Sequence, residues 1–198
     1  MIEHYFSEKP KSEFKSTSFD VVMRGRKFNF LSGSSTFSVG RIDQGTKILI
    51  DYMDVKGVKS ILDVGCGIGI IGIVCSKIIS GSKVVMIDVN ERSLSLAEKN
   101  VKLNGCDGVV IKKSDLYSSI KGKFDLIISN PPQKAGKKVC FSLIQDSINH
   151  LNLKGSLQIV ARHQKGGKEL EKKMEEVFGN VEVLGRKSGY RVYKSIKS

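Results

Sequence analysis

Three carboxylates and a run of glycines carry the most visible chemistry in this 198-residue sequence. The apolar stretch Ile61-Leu62-Asp63-Val64 runs into Gly65-Cys66-Gly67-Ile68-Gly69, an acid followed by a GxGxG turn. Gly65, Gly67 and Gly69 let the chain turn tightly and leave space for a ligand against the backbone. A helix starting beyond them would offer unpaired N–H groups to the same space. Asp88 closes the next apolar stretch, with Asn90 in the same turn. A carboxylate so placed accepts hydrogen bonds from both hydroxyls of a ribose. Asp115-Leu116 follows a third stretch; Asp115 would accept from an adenine amino group and Leu116 would lie against the ring. Singly, each Asp also reads as a helix cap or turn residue. Their recurrence at successive stretch ends points to a nucleoside ligand.

The segment from Gly67 to Gly72 also spells GxGxxG, the fingerprint of a dinucleotide site. Register argues against it. In that fingerprint the first glycine closes the strand, which here would force Gly65 into the strand. A pyrophosphate also gains nothing from the Asp63 carboxylate, whereas a sulfonium carrying an amino-acid ammonium does. The pattern therefore favours a positively charged nucleoside.

These residues need a scaffold that brings successive stretch ends to one edge. Strands are expected at 58–64, 83–88, 108–113, 123–129 and 156–161, alternating with helices at 69–79, 91–104, 136–151 and 168–178. In the second helix Leu94, Ala97, Val101 and Leu103 should face inward, with Gly105 as the stop. Strands 181–186 and 190–195 read as a hairpin about Lys187-Ser188-Gly189. Upstream, 18–32 reads as two short strands around Arg24-Gly25-Arg26, with Val22, Phe28 and Phe30 in rough alternation. A helix capped by Asp43 follows, with Ile48, Leu49, Tyr52 and Met53 at helical spacing. Alternating strands and helices demand a mostly parallel sheet covered on both faces, with ligands bound beyond the strand C-termini. The expected fold is α/β and Rossmann-like in one domain, a core over 43–198 and a small N-terminal β-hairpin extension over 1–42.

In order and spacing, residues 61–69, Asp88 and Asp115 resemble the motifs of class I S-adenosylmethionine-dependent methyltransferases. The resemblance implies S-adenosylmethionine as cofactor. It also implies a seven-stranded sheet of order 3-2-1-4-5-7-6 with one antiparallel strand. Asn130-Pro131-Pro132-Gln133, directly after the strand FDLIIS, resembles the (Asn/Asp)-Pro-Pro-(aromatic) loop of those members that modify planar amino groups. A conjugated amine is a poor nucleophile because its lone pair is delocalised. The Asn130 side-chain oxygen and the Pro131 carbonyl would each accept one N–H and aim the lone pair at the methyl group. Pro131 and Pro132 stiffen the loop, so positioning costs little entropy. Gln133 stands where the family carries an aromatic or similarly flat residue, which normally stacks on an extruded base. Either stacking comes from elsewhere, with Phe37 as one candidate, or the substrate is held differently.

With residues 37–50 and 188–195 included, the chain is similar to the catalytic domain of the ribosomal-RNA small-subunit methyltransferase C type and to small archaeal relatives. That resemblance implies methylation of the exocyclic N2 of guanine in ribosomal RNA. It places Asp43-Gln44-Gly45-Thr46 over the cofactor, where the helix N-terminus around Gly45 and Thr46 would receive the methionine carboxylate. An ordinary helix cap is the plain alternative there.

Charge agrees with an RNA partner. Lys and Arg number 33 against 20 Asp and Glu, a net +13, and such a chain attracts polyanions. A Lys-rich solubilising surface would look the same. Lys134, Lys137 and Lys138 follow the catalytic loop at a helix start, where cations oppose the dipole and an incoming phosphate would explain them. Arg24, Arg26, Lys27 and Arg41 are candidates for the same mouth. Cys66, Cys75, Cys106 and Cys140 form no CxxC pair and the three histidines are scattered, so free thiols and no metal are expected. No apolar run approaches about 18 residues, and the N-terminal residues lack the apolar core of a secretory signal; the expected location is the cytoplasm. The rivals to guanine N2 are a protein glutamine amide, adenine N6, and a non-catalytic RNA-binding module that keeps the fold.

Overall fold

The computed structural model describes residues 16–33, 40–131 and 136–198. Strands β1 (Ser16–Met23) and β2 (Arg26–Gly33) form an antiparallel hairpin. Its tight turn is Arg24-Gly25, both at positive φ (48° and 74°), which matches the twist of the flanking strands. Seven further strands make one sheet: β3 (Ser60–Val64), β4 (Lys83–Asp88), β5 (Val109–Lys113), β6 (Phe124–Ser129), β7 (Leu151–Arg162), β8 (Glu182–Lys187) and β9 (Tyr190–Ile196). Their order is β5-β4-β3-β6-β7-β9-β8, which counted from β3 is 3-2-1-4-5-7-6. Only β9 opposes the common direction, because it pairs antiparallel with both β7 and β8.

The central strands are buried on both faces, so β3, β4 and β6 are almost continuously apolar and sort their residues by parity. Ile61, Val84, Met86, Leu126, Ile128 and Val160 face α1 (Gln44–Tyr52), α2 (Ile70–Ile78) and α3 (Glu91–Leu103). Leu62, Ile87, Ile127, Leu157 and Ile159 face α4 (Lys137–Ser147) and α5 (Lys168–Phe178), through Leu143, Ile144, Leu170 and Met174.

Two asparagines attach the hairpin to this core. Asn100, fully buried on α3, accepts from Leu31 N at 2.7 Å and donates to Leu31 O and Ile68 O. Asn104 does the same with the backbone of Asn29, at 3.1 and 2.7 Å. This corrects one sequence expectation: Asn104, not Leu103, takes the inward place in the last turn, and Leu103 is 49% exposed. Val22 is likewise outward, at 60% exposure, because Val21 pairs with Phe28 and Phe19 with Phe30, and strand neighbours point to opposite faces. Tyr52 is partly exposed but covers Gly185 of β8, where an added Cβ would strike its ring. The helix expected to reach residue 151 ends at Ser147; a short turn follows, and β7 begins at Leu151, earlier than expected. All four cysteines are free thiols. No helix among the described residues is long and apolar enough to cross a membrane.

Candidate active site

The parallel strands deliver their C-termini to one edge, and the candidate residues stand there. After β3, Gly65, Gly67 and Gly69 all have φ between 56° and 88°, a region costly for any other residue. Gly65 N and Cys66 N both donate to Ile87 O of β4 at 2.9 Å, and Gly69 caps α2. Gly72 has a different duty. A Cβ there would lie 2.3 Å from Met86 Sδ, so this glycine sets how closely α2 packs on β4. The last glycine of a dinucleotide fingerprint serves the same purpose, so Gly72 does not discriminate between the two ligands. The Asp88 carboxylate does: its Oδ2 accepts Gly67 N at 2.8 Å, occupying a loop donor that a pyrophosphate would need with a charge that repels it.

Asp63 is fully buried beneath the loop. Its Oδ2 accepts Gly72 N at 2.9 Å, while Oδ1 has no hydrogen-bond partner among the described residues. Burial pushes this carboxyl up to about 7; the Gly72 bond works the other way, and the nearby Asp88 charge adds to the rise. Asp88 Oδ1 accepts Asn90 N at 2.9 Å. Asn90 itself is the N-cap of α3, accepting Ser93 N at 3.0 Å. Asp115 is exposed after β5, and half-buried Leu116 has φ 45°. The Ser114 hydroxyl, which donates to Leu116 O at 2.7 Å and accepts Ser119 N at 3.1 Å, fixes that turn.

Beyond β6, Ser129 donates to Val64 O at 2.7 Å and locks the ends of β6 and β3 together. Asn130 comes next. Its Nδ2 donates to Asp43 Oδ2 at 2.8 Å and to Thr46 Oγ1 at 3.0 Å. Asp43 Oδ2 also accepts Thr46 N at 3.1 Å, capping α1. A carboxylate is acceptor-only, so the amide NH2 must face Asp43 and the Asn130 carbonyl oxygen must face away from it. A Cβ on Gly45 would lie 3.2 Å from Asn130 Oδ1 and 3.2 Å from Tyr190 Cε1; the missing side chain lets the first turn of α1 approach both. The segment expected over the cofactor is thus the one that orients Asn130. The sequence offered Asp43 as a helix cap or as part of a segment over the cofactor; its bond to Asn130 has no local signature. Tyr190, at the start of β9, is a further site residue the sequence did not single out.

Pro131 is buried; Pro132, Gln133, Lys134 and Phe37 lie outside the described residues. Lys137 Nζ is 2.8 Å from Glu169 Oε1, in an exposed pair, and 5.3 Å from the Phe141 ring centre. Lys138 is exposed. Arg24 does not line the mouth, because it donates to Ile50 O and Met53 O at the C-terminal end of α1, the end away from Asn130. Arg26 and Lys27 share that hairpin turn, whereas exposed Arg41 sits just before α1.

Residues 27–194 match the profile of the methyltransferase small domain family. The chain belongs to that family. Its cofactor is S-adenosylmethionine. An uncharacterized Bacillus subtilis protein, YbxB, is 38% identical over 200 residues and aligned over 100% of both chains. The ribosomal RNA small subunit methyltransferase C of Haemophilus influenzae is 37% identical over 166 residues, 82% of this chain and 49% of its own. The chain thus spans about half the length of the rRNA methyltransferases it matches. Among solved structures, the 16S rRNA N2 methyltransferase of T. thermophilus, in complex with AdoMet and guanosine, superposes with TM-score 0.80 at 21% identity, over 96% of this chain and 52% of that one. The ribosomal protein L11 methylase of Lactobacillus delbrueckii subsp. bulgaricus gives 0.68 at 25% identity, over 82% of each.

The methyltransferase site fits its cofactor. A buried carboxylate oxygen without a partner, Asp63 Oδ1, lies under the glycine loop. Asp88 stands beside it at the end of β4, its two oxygens held in place by Gly67 N and Asn90 N.

Proposed function

We propose that this methyltransferase methylates the exocyclic N2 amine of a guanine in ribosomal RNA, in the cytoplasm, as one domain built from the hairpin extension and the core. The observation that carries the reading is the enforced orientation of Asn130, with its amide nitrogen held by Asp43 and Thr46, which leaves its carbonyl oxygen as the acceptor. An acceptor fixed in this way by an acid selects an N–H donor as substrate. Bound S-adenosylmethionine supplies an electrophilic methyl on a sulfonium. Asn130 Oδ1 and the Pro131 carbonyl each accept one N–H of the amine, which brings its lone pair out of conjugation and toward that methyl. No general base is required before attack, since the nitrogen becomes acidic only once it carries the methyl. Pro132 and Gln133 complete the loop.

For the cofactor, Asp88 takes the ribose hydroxyls, Asp115 the adenine amine and Leu116 its ring. Asn90 holds the turn behind Asp88. The glycines Gly65, Gly67 and Gly69 keep the backbone flat against the ligand. Asp63, sealed under the loop, acts on the cationic end of the cofactor through its field rather than by surface contact.

RNA is favoured over protein by charge at the site. A cleft of about 320 Å³ beside Tyr190 is lined by His163, Arg186, Lys187 and Arg191. Glu171 lies 3.7 Å from both Arg191 and His163, but Arg186 and Lys187 have no carboxylate partner among the described residues. A peptide glutamine is the second reading; the likeness to the L11 methylase supports a protein substrate.

The test is transfer of labelled methyl from S-adenosylmethionine into total RNA and total protein by wild type and Asn130→Ala. Label recovered as N2-methylguanosine, and lost in the variant, supports the proposal. Label in protein alone selects the glutamine reading. Label in adenine refutes guanine N2, and absence of transfer by a chain that binds the cofactor refutes catalysis.

A further inference from the structure

We infer that Arg162, held over the ring of Tyr190, is the surface on which the target base stacks. The inference rests on Asn130 as the holder of the amine.

The sheet itself raises the wall. Ser129, the last residue of β6, pairs with Ile159, and β7 continues to Arg162. At about 3.3 Å per residue, that overhang stands roughly 10 Å above the end of β6, about the span of a purine. Arg162 is paired with Tyr190 across the β7–β9 ladder. Tyr190 in turn shares the space over Gly45 with Asn130: both approach one point at 3.2 Å. An amine hydrogen-bonded to Asn130 Oδ1 must lie within about 3 Å of it. The ring that carries this amine is therefore brought against the Arg162–Tyr190 wall.

The guanidinium is prepared for such contact. Its Nε donates to the Tyr190 hydroxyl at 2.9 Å, and its central carbon lies 5.0 Å from the Tyr190 ring centre. An exposed arginine is normally mobile; this one is fixed by an aromatic ring instead of an acid. It forms no ion pair within 4.0 Å among the described residues, with the Asp43 charge adding only a longer-range attraction. Its terminal nitrogens have no acceptor among the described residues. Guanidinium planes stack on extruded bases as aromatic rings do. The Asn-Pro-Pro-Gln loop has no ring at its fourth position, and Arg162 on Tyr190 supplies the flat partner that loop lacks.

The experiment compares wild type, Arg162→Ala, Arg162→Lys, Tyr190→Phe and Asn130→Ala, using unmodified small-subunit ribosomal RNA transcribed in vitro. It reads kcat and KM for RNA, and S-adenosylhomocysteine affinity as a check of folding. Stacking of one base is lost in Arg162→Ala, so KM rises about tenfold or more with kcat and cofactor affinity nearly unchanged. Arg162→Lys keeps the charge but not the plane and behaves like Arg162→Ala. Tyr190→Phe keeps the ring, loses the lock and falls between. Full rescue by lysine would make Arg162 a point contact to phosphate and overturn the inference. So would an unchanged KM in Arg162→Ala, or a loss shared with cofactor affinity. If Asn130→Ala is inactive while Arg162→Ala is normal, the stacking surface alone is refuted. If Asn130→Ala stays fully active, the amine-holding reading fails and this one with it.

Discussion

Asp43 joins helix capping to the proposed orienting of Asn130, and serine in its place separates the two. Its carboxylate accepts Thr46 N at 3.1 Å and Asn130 Nδ2 at 2.8 Å. Serine caps a helix about as well as aspartate, so stability should stay within about 0.5 kcal/mol of wild type. Its shorter side chain leaves Asn130 without a charged acceptor, and a hydrogen bond to a charged group contributes about 1.5–3 kcal/mol. The Thr46 hydroxyl still meets Asn130 at 3.0 Å. A hydroxyl both donates and accepts, however, so it no longer dictates which end of the amide faces outward. The methyl-transfer rate at saturating RNA and cofactor should fall about 10- to 100-fold in Asp43→Ser. Asp43→Ala should show a similar rate and lose about 1 kcal/mol of stability besides. Rates, urea melts and S-adenosylhomocysteine binding on the same preparations decide it. A wild-type rate in Asp43→Ser would refute the orienting role, as would a rate loss that appears only in proportion to lost stability or cofactor affinity.

Asp88→Ala should weaken S-adenosylhomocysteine about 10- to 100-fold by calorimetry, since it removes the charged acceptor for two hydroxyls; unchanged affinity would take Asp88 out of the site. Arg186→Glu should raise KM for RNA and make the slope of log affinity on log salt shallower by about one, leaving cofactor affinity alone; an unaltered slope would move the RNA off this cleft. Asp63 has a folded-state value raised to about 7 from 3.8, so its stabilising contribution is complete below the unfolded value and is lost as pH rises through about 7. Relative to Asp63→Asn, the cofactor-free wild type should therefore lose on the order of 3 kcal/mol between pH 4 and pH 8 in urea melts, and saturating S-adenosylmethionine should reduce that loss. Parallel pH profiles for the two proteins would show that Asp63 does not titrate in this range.

What was legible in the sequence divides along the site. The proposed cofactor half is built from residues that end consecutive strands. Asp63, the glycine loop, Asp88 and Asp115 are each fixed by a local rule of strand, turn and cap; the alternation of strands and helices implies a parallel sheet, and the resemblance to class I methyltransferases implies the strand order that gathers them. The errors in the core are also local. The last turn of α3 presents Asn104 inward because the hairpin backbone requires a polar partner there, and hydropathy ranks Leu103 above it. Val22 looked inward until its neighbour Val21 was paired with Phe28.

The substrate half is different in kind. Asp43 reaches Asn130 across 87 residues and Arg162 reaches Tyr190 across 28, through a helix start in one case and an antiparallel ladder in the other. Neither contact leaves a periodic or compositional trace, because each side chain alone satisfies a simpler description: cap, strand-end cation, strand-start aromatic. Lys137, whose place after the loop suggested phosphate, stands in an exposed pair with Glu169 of the neighbouring helix, a contact its position in the sequence does not foretell. Cofactor chemistry is repeated along the chain, so it is encoded in spacing. Substrate chemistry is assembled between elements, and it becomes visible only once the sheet has brought β6, β7 and β9 together beside the first turn of α1.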